Sequence, residues 1–204
     1  LSMTTIASTL ELFQAAFPMI GARIPGSIEA ETPEAQTARA TYEIFVKDAM
    51  SRHAWSFATN EETLTYAGEV SSIPAHKYAL PADILRPRRV LLNGVQFLDF
   101  EIRKGALLCN LKDSDCISMV YNFRAHESEW PADFVDAMIH KLAARLATGL
   151  LDRARQGAEL DAKAEMLLRR ASRADRRAFP GRDPDVQPKL VRAWRGGTNL
   201  AKAS

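Results

Sequence analysis

The sequence predicts an α+β fold: an antiparallel helical bundle with an inserted small antiparallel β-sheet region and an extended C-terminal arm. Three observations carry that expectation. Apolar residues recur at helical spacing towards both ends of the chain, short stretches rich in branched and aromatic residues fill the middle, and the last stretch has no sustained period. The expected boundaries are 1–60 for the first part of the helical body, 61–126 for a strand-rich insertion, 127–178 for the second part of the body and 179–204 for the arm.

The first helix is expected from Thr5 to about Phe17, where Ile6, Leu10, Phe13 and Phe17 keep helical spacing until Pro18 and Gly21 break it. A turn-rich stretch, IGARIPGSIEAE, follows. Thr32 is placed as an N-cap ahead of Pro33, whose missing N–H costs nothing in a first helical turn. The second helix then runs from Pro33 to about Trp55, with Ala38, Tyr42, Phe45, Val46, Ala49, Met50 and His53 on one face.

Between Glu62 and Arg124 the stretches TLTY, HKYAL, RRVLL, FLDFEI, ALLCNL and CISMVYNF are separated by Gly, Pro, Asn and Asp, and read as short antiparallel strands. Asn93-Gly94 is a tight-turn signal, and Arg103-Lys104-Gly105 has the place of a hairpin tip. Helical periodicity returns at Trp130-Pro131. Phe134, Val135, Met138, Ile139, Leu142, Ala143, Leu146 and Leu150 make a broad stripe expected to end near Arg155 to Gly157. A fourth helix, Ala158 to about Ala178, carries small residues that allow close helix approach and arginines that face outward. Beyond Phe179, three prolines and paired glycines predict an arm that leaves the body.

With 204 residues, 47% of them hydrophobic and 25% charged, the composition is that of an ordinary globular chain. No run approaches the roughly 18 apolar residues of a membrane span. The amphipathic start LSMTTIASTLELFQAAF lacks the basic flank and continuous apolar core of a signal peptide. Only Cys109 and Cys116 are present, so a reducing cytoplasm is the default setting. The net charge of +2 conceals an asymmetry. From Arg169 onward ten basic residues face only Asp175, Asp183 and Asp185, a segment of +7 beside a remainder of −5. Such a tail suits an acidic or polyanionic partner, nucleic acid or another protein's acidic surface; the plainer reading is a solvated tail.

The residue types that carry chemistry do not assemble into a motif. Cys109 and Cys116 are six residues apart, unlike the close ligand pairs of structural zinc sites, and read as small strand residues. His53, His76, His126 and His140 accompany no serine elbow or catalytic cysteine signature. Glu61, Glu62, Glu127 and Glu129 could supply a glycosidase-like pair, but carboxylates beside helices are commonly solvated or capping groups. Neither a GxxxxGK[ST] loop nor a GxGxxG turn occurs. The expectation is therefore no catalytic residue, no metal and no cofactor. The informative segment is Lys189, Leu190, Val191, Arg192, Ala193, Trp194 and Arg195, which interleaves apolar and basic residues between Pro188 and Gly196-Gly197 and suits a peptide docking onto a partner.

An ordered set of segments runs from Ala54 to Leu146: Trp55-Ser56-Phe57-Ala58, Ala79-Leu80-Pro81-Ala82-Asp83, Arg88-Arg89-Val90-Leu91, Phe100 to Leu108 with its Arg103-Lys104-Gly105 turn, Ser118 to Phe123, and Trp130-Pro131-Ala132-Asp133-Phe134 opening an alanine-rich helix. In this order they resemble the head-to-tail connector, or head completion adaptor, proteins of tailed phages, the group that includes tubular tail protein A. The loop from Asn93 to Leu98 is shorter than the family pattern, and the C-terminal arm matches none of its motifs. The resemblance implies a non-enzymatic subunit of a ring, commonly of 12 copies, at the head–tail junction of a virion assembled in the host cytoplasm. Its implied partners are the portal protein, tail or nozzle proteins, further copies of itself, and genome DNA passing non-specifically through the channel. The rival readings are a basic nucleic-acid-binding protein and a virion-associated cell-wall hydrolase.

Overall fold

A computed structural model describes residues 8–24, 26–27, 29–71, 73–112, 116–150 and 153–179, and among them four α-helices and two antiparallel sheets make a mixed α+β fold. The described residues divide into two compact units. One takes in the chain up to Ala58 and again from Arg124; the other is Thr59–Phe123.

In the helical unit, α1 (Thr9–Met19) starts later than the apolar period from Thr5 suggests. Ser8 is extended there and forms a capping box: its hydroxyl accepts from the Glu11 amide at 3.4 Å, and the Glu11 carboxylate accepts from the Ser8 amide at 3.2 Å. Two otherwise orphaned donors are satisfied at that point, which fixes the helix start. α2 (Pro33–Arg52) begins at the expected Thr32 cap but ends before Trp55. The cause lies just past the helix end. The buried Trp55 indole N–H donates to the Ala49 carbonyl at 2.9 Å, taking up an acceptor the helix end leaves free, while His53 turns extended.

α3 (Ala132–Leu150) packs against α1, α2 and the long α4 (Ala154–Ala178). α3 ends and α4 begins before Gly157, not at it. Gly157 lies inside α4, where a Cβ would stand 2.1 Å from Thr148 Oγ1 and 3.1 Å from the Ala144 carbonyl. The glycine is a close-approach residue, and Gly157, Ala164, Leu168, Ala171 and Ser172 line the buried face of α4. Trp55, Phe57 and Trp130 gather round Phe134 with ring centroids 5.0–5.1 Å away.

The strand unit contains β1 (Thr59–Thr63), β2 (Thr65–Glu69), β3 (His76–Ala79), β4 (Ile84–Leu92), β5 (Val95–Phe97), β6 (Phe100–Arg103), β7 (Ala106–Cys109) and β8 (Ile117–Phe123). They form two four-stranded sheets, in the orders β1-β8-β4-β5 and β2-β3-β7-β6. β1, with sequence TNEET, carries no apolar residue and so gives no strand signal. The stretch FLDFEI is two strands and not one: Phe97 ends in the first sheet and Phe100 begins in the second. The two sheets share one core, with Val90, Ile117, Met119 and Tyr121 from the first and Tyr78, Phe100, Leu107 and Cys109 from the second. Leu64 joins that core at the crossover between β1 and β2, its amide donating to the Ile117 carbonyl at 2.8 Å.

Candidate functional site

Glu127, in a one-turn 3-10 segment (Glu127–Glu129) ahead of α3, is the most enclosed carboxylate among the described residues of the helical unit. Its Oε1 accepts from Arg124 Nη2 and the Tyr42 hydroxyl, each at 2.7 Å, and from Thr9 Oγ1 at 3.1 Å. The Arg124 guanidinium also donates to Glu43 at 2.9 and 3.3 Å and lies 5.4 Å from the Trp130 ring centre. Burial by itself pushes Glu127 up, but the hydrogen bonds from Arg124 and Tyr42 outweigh it and hold the carboxyl below the ordinary glutamate range. For Arg124 burial opposes the charge and the two carboxylates overcome it; for Tyr42 burial and Glu127 together hold the phenol proton tightly. The cluster ties α1, α2 and the approach to α3 together. An ionised carboxylate held by three donors has no proton to donate at neutral pH, so its arrangement suits a structural clamp rather than an acid catalyst.

A second network joins α2, α3 and α4. The buried Lys141 ammonium reaches Asp161 and Glu165 at 2.8 Å each, and Arg52 meets Glu165 at 2.8 Å and Asp48 at 2.5 Å. Burial raises Glu165, and Lys141 followed by Arg52 more than reverses that, leaving it below the usual carboxylate range. In the strand unit Tyr121 donates towards Asp83 at 3.0 Å and Glu62 at 3.1 Å; burial, with these acceptors, pushes it up to about 12 against the opposing Asn60 contact.

The residues that carry chemistry in the sequence are dispersed. Cys109 is buried in β7 and Cys116 is exposed. His53 stacks edge-on against Trp55, His76 lies 3.1 Å from the Tyr66 hydroxyl, His126 caps the 3-10 turn, and His140 donates to the Asp136 carbonyl at 2.8 Å. Glu61 accepts from Ser118 and Glu62 from Tyr121 in the strand unit, whereas Glu129 caps a turn and Glu127 is clamped in the helical unit. Among the described residues, no group of three or more His, Cys, Asp or Glu is arranged to hold a metal ion, and no helix is long and apolar enough to cross a membrane. The segment Lys189–Arg195 lies outside the described residues.

A further surface is the end of α4. Arg169, Arg170, Arg173, Arg176 and Arg177 are all exposed. Arg169, Arg170, Arg173 and Arg177 line a cleft with Met166 and Asp133. Their signal in the sequence is the charge asymmetry, since five of the ten basic residues from Arg169 onward lie on the fourth helix. No family model matches the sequence, and no curated protein does.

Proposed function

We propose that the chain is a structural adaptor subunit of a phage head-to-tail connector ring, one that binds the portal, helps to close the DNA-filled head and offers the tail its attachment platform. It acts by shape and assembly, without catalysis. What supports this reading is the ordered set of family-like segments together with the elements that carry them. Trp55 follows α2, Leu80-Pro81 precedes β4, Lys104-Gly105 turns β6 into β7, and Trp130-Pro131 leads into α3. In this proposal the helices form an antiparallel bundle, the strand unit is an insertion in its sequence, and residues 179–204 are an extended arm. Its Lys189, Leu190, Val191, Arg192, Ala193, Trp194 and Arg195 dock on the portal. Partners are the portal, tail or nozzle proteins, and neighbouring copies in a ring of about 12, whose closure needs two different complementary faces per subunit. The setting is the head–tail junction of the virion, assembled in the host cytoplasm, with genome DNA sliding through the channel.

The test is negative-stain imaging of the purified protein mixed with the portal protein of the same genome. Rings stacked coaxially on the portal are expected. Within the arm, Trp194→Ala should weaken attachment more than Lys202→Ala, because a buried aromatic anchor commonly contributes about 2 kcal/mol or more and an exposed charge about 1 kcal/mol or less. Failure to associate with portals would sink the adaptor reading. The exposed arginines of α4 specifically favour one rival, a nucleic-acid-binding protein, which predicts duplex binding that falls steeply with salt.

A further inference from the structure

The arginines at the end of α4 differ from several others of the helical unit in what they meet. Arg39, Arg52, Arg124 and Arg155 each pair with a carboxylate. Arg169, Arg170, Arg173, Arg176 and Arg177 have no ion pair among the described residues, although all five are exposed in less than three turns of helix. Met166, Arg169, Arg170, Arg173 and Arg177 follow helical spacing and so share one face. At a rise of about 1.5 Å per residue the row is roughly 16 Å long, the length of a short peptide segment. Like-charged side chains gathered on one face repel one another, so the row is a place where bound negative charge is favoured.

We infer that this face of α4 is a docking surface for an acidic, amphipathic segment of a partner protein. Its guanidinium groups take carboxylates, and Met166 takes an apolar side chain. Three observations select that occupant. Met166 is 47% exposed in the same cleft, and a phosphate backbone offers it nothing to bury. Asp133 lines the cleft too; it repels a continuous row of phosphates, while a peptide can present a donor there. The basic residues of the patch are all arginine, whose planar fork takes carboxylates as readily as phosphates and which is enriched at protein interfaces, where lysine is depleted. The chain's own arm is a poor occupant, since from Arg182 onward it carries five basic residues against Asp183 and Asp185. This surface lies on the helical unit and does not depend on the adaptor reading.

The experiment is fluorescence anisotropy on the full chain with three probes. They are a labelled peptide of roughly 15 residues with glutamates on one helical face and leucines on the other, the same peptide with lysine for glutamate, and a duplex of about 20 base pairs. The acidic peptide should bind and the lysine peptide should not. Replacing Arg169, Arg173 and Arg177 together by alanine should weaken binding at least about tenfold, and Met166→Ser about threefold, with the helical circular dichroism of both variants unchanged. Three results would overturn the inference. One is a duplex that binds more tightly than the peptide, with a log–log salt slope near −3 or steeper and no response to Met166→Ser. The others are absence of peptide binding, and self-association of the chain through the same arginines in sedimentation.

Discussion

Glu127 shows how a single side chain can hold three segments. It brings Thr9 of α1, Tyr42 of α2 and Arg124 onto one carboxylate that is 5% exposed. Because its folded pKa lies below the ordinary value of about 4.3, the ionised form contributes stability that is fully present above that pH. The contribution is lost as pH falls through the depressed folded value. Glu127→Gln should therefore cost about 2 kcal/mol at pH 7, and the gap to the parent should narrow progressively below about pH 4. Urea unfolding at a series of pH values checks both the size and the sign. Gly157 is the opposite kind of residue, valuable for what it lacks. Helix propensity favours alanine there by about 1 kcal/mol, yet a Cβ would sit 2.1 Å from Thr148 Oγ1. We expect crowding to win, with Gly157→Ala lowering stability by about 1 kcal/mol net. Adding Thr148→Ala should recover part of that loss in thermal unfolding; a stabilised Gly157→Ala single variant would show that the helices are not in close contact.

The hairpins are the elements most directly written in local chemistry. Asn93 and Gly94 have φ of 51° and 80°, and Lys104 and Gly105 have 50° and 72°, so each two-residue loop turns through consecutive positive φ values. Leu92 pairs with Val95, and Arg103 with Ala106, across those loops. Positive φ at both central residues matches the right-handed twist of the strands. A Cβ at Gly94 or Gly105 would meet nothing within 4 Å, so a substitution there tests conformation without steric interference. Gly94→Ala and Gly105→Ala should each cost about 1 kcal/mol in thermal unfolding, purely from the left-handed backbone. Equal stability of both variants with the parent would show that the turns relax to another type.

At the scale of the molecule, the described core ends well before the C-terminus. Ala171 and Ser172 are the last buried ones among the described residues, and Phe179 is half exposed. A chain stopped after Phe179 should therefore keep its helical circular dichroism and unfold within a few degrees of the parent, since no described core contact is removed. Under the adaptor proposal the same truncation abolishes co-sedimentation with the portal. A truncated protein that still co-sediments like the parent would move the interface onto the helices, where the α4 arginines are the first surface to examine.

Much of the secondary structure follows from the sequence because its determinants are local. Thr32-Pro33 starts α2, Asn93-Gly94 and Lys104-Gly105 turn the hairpins, and the apolar period of α3 needs no partner to be read. The same holds for the charge asymmetry, a property of composition alone. The tertiary structure decided the rest. β1 is a strand because β8 pairs with it from Thr59 to Thr63, although TNEET has no apolar face. FLDFEI divides because its ends pair in different sheets, Phe97 with Val90 of β4 and Phe100 to Ile102 with β7. Gly157 lies inside α4 and not at its end, held close against Ala144 and Thr148 of α3 where a side chain has no room. Glu127 and Lys141 look like surface charges until their partners, 85 and 118 residues away for Glu127 and 24 for Lys141, enclose them. Pairing and burial depend on groups distant in the chain, and no local pattern records them.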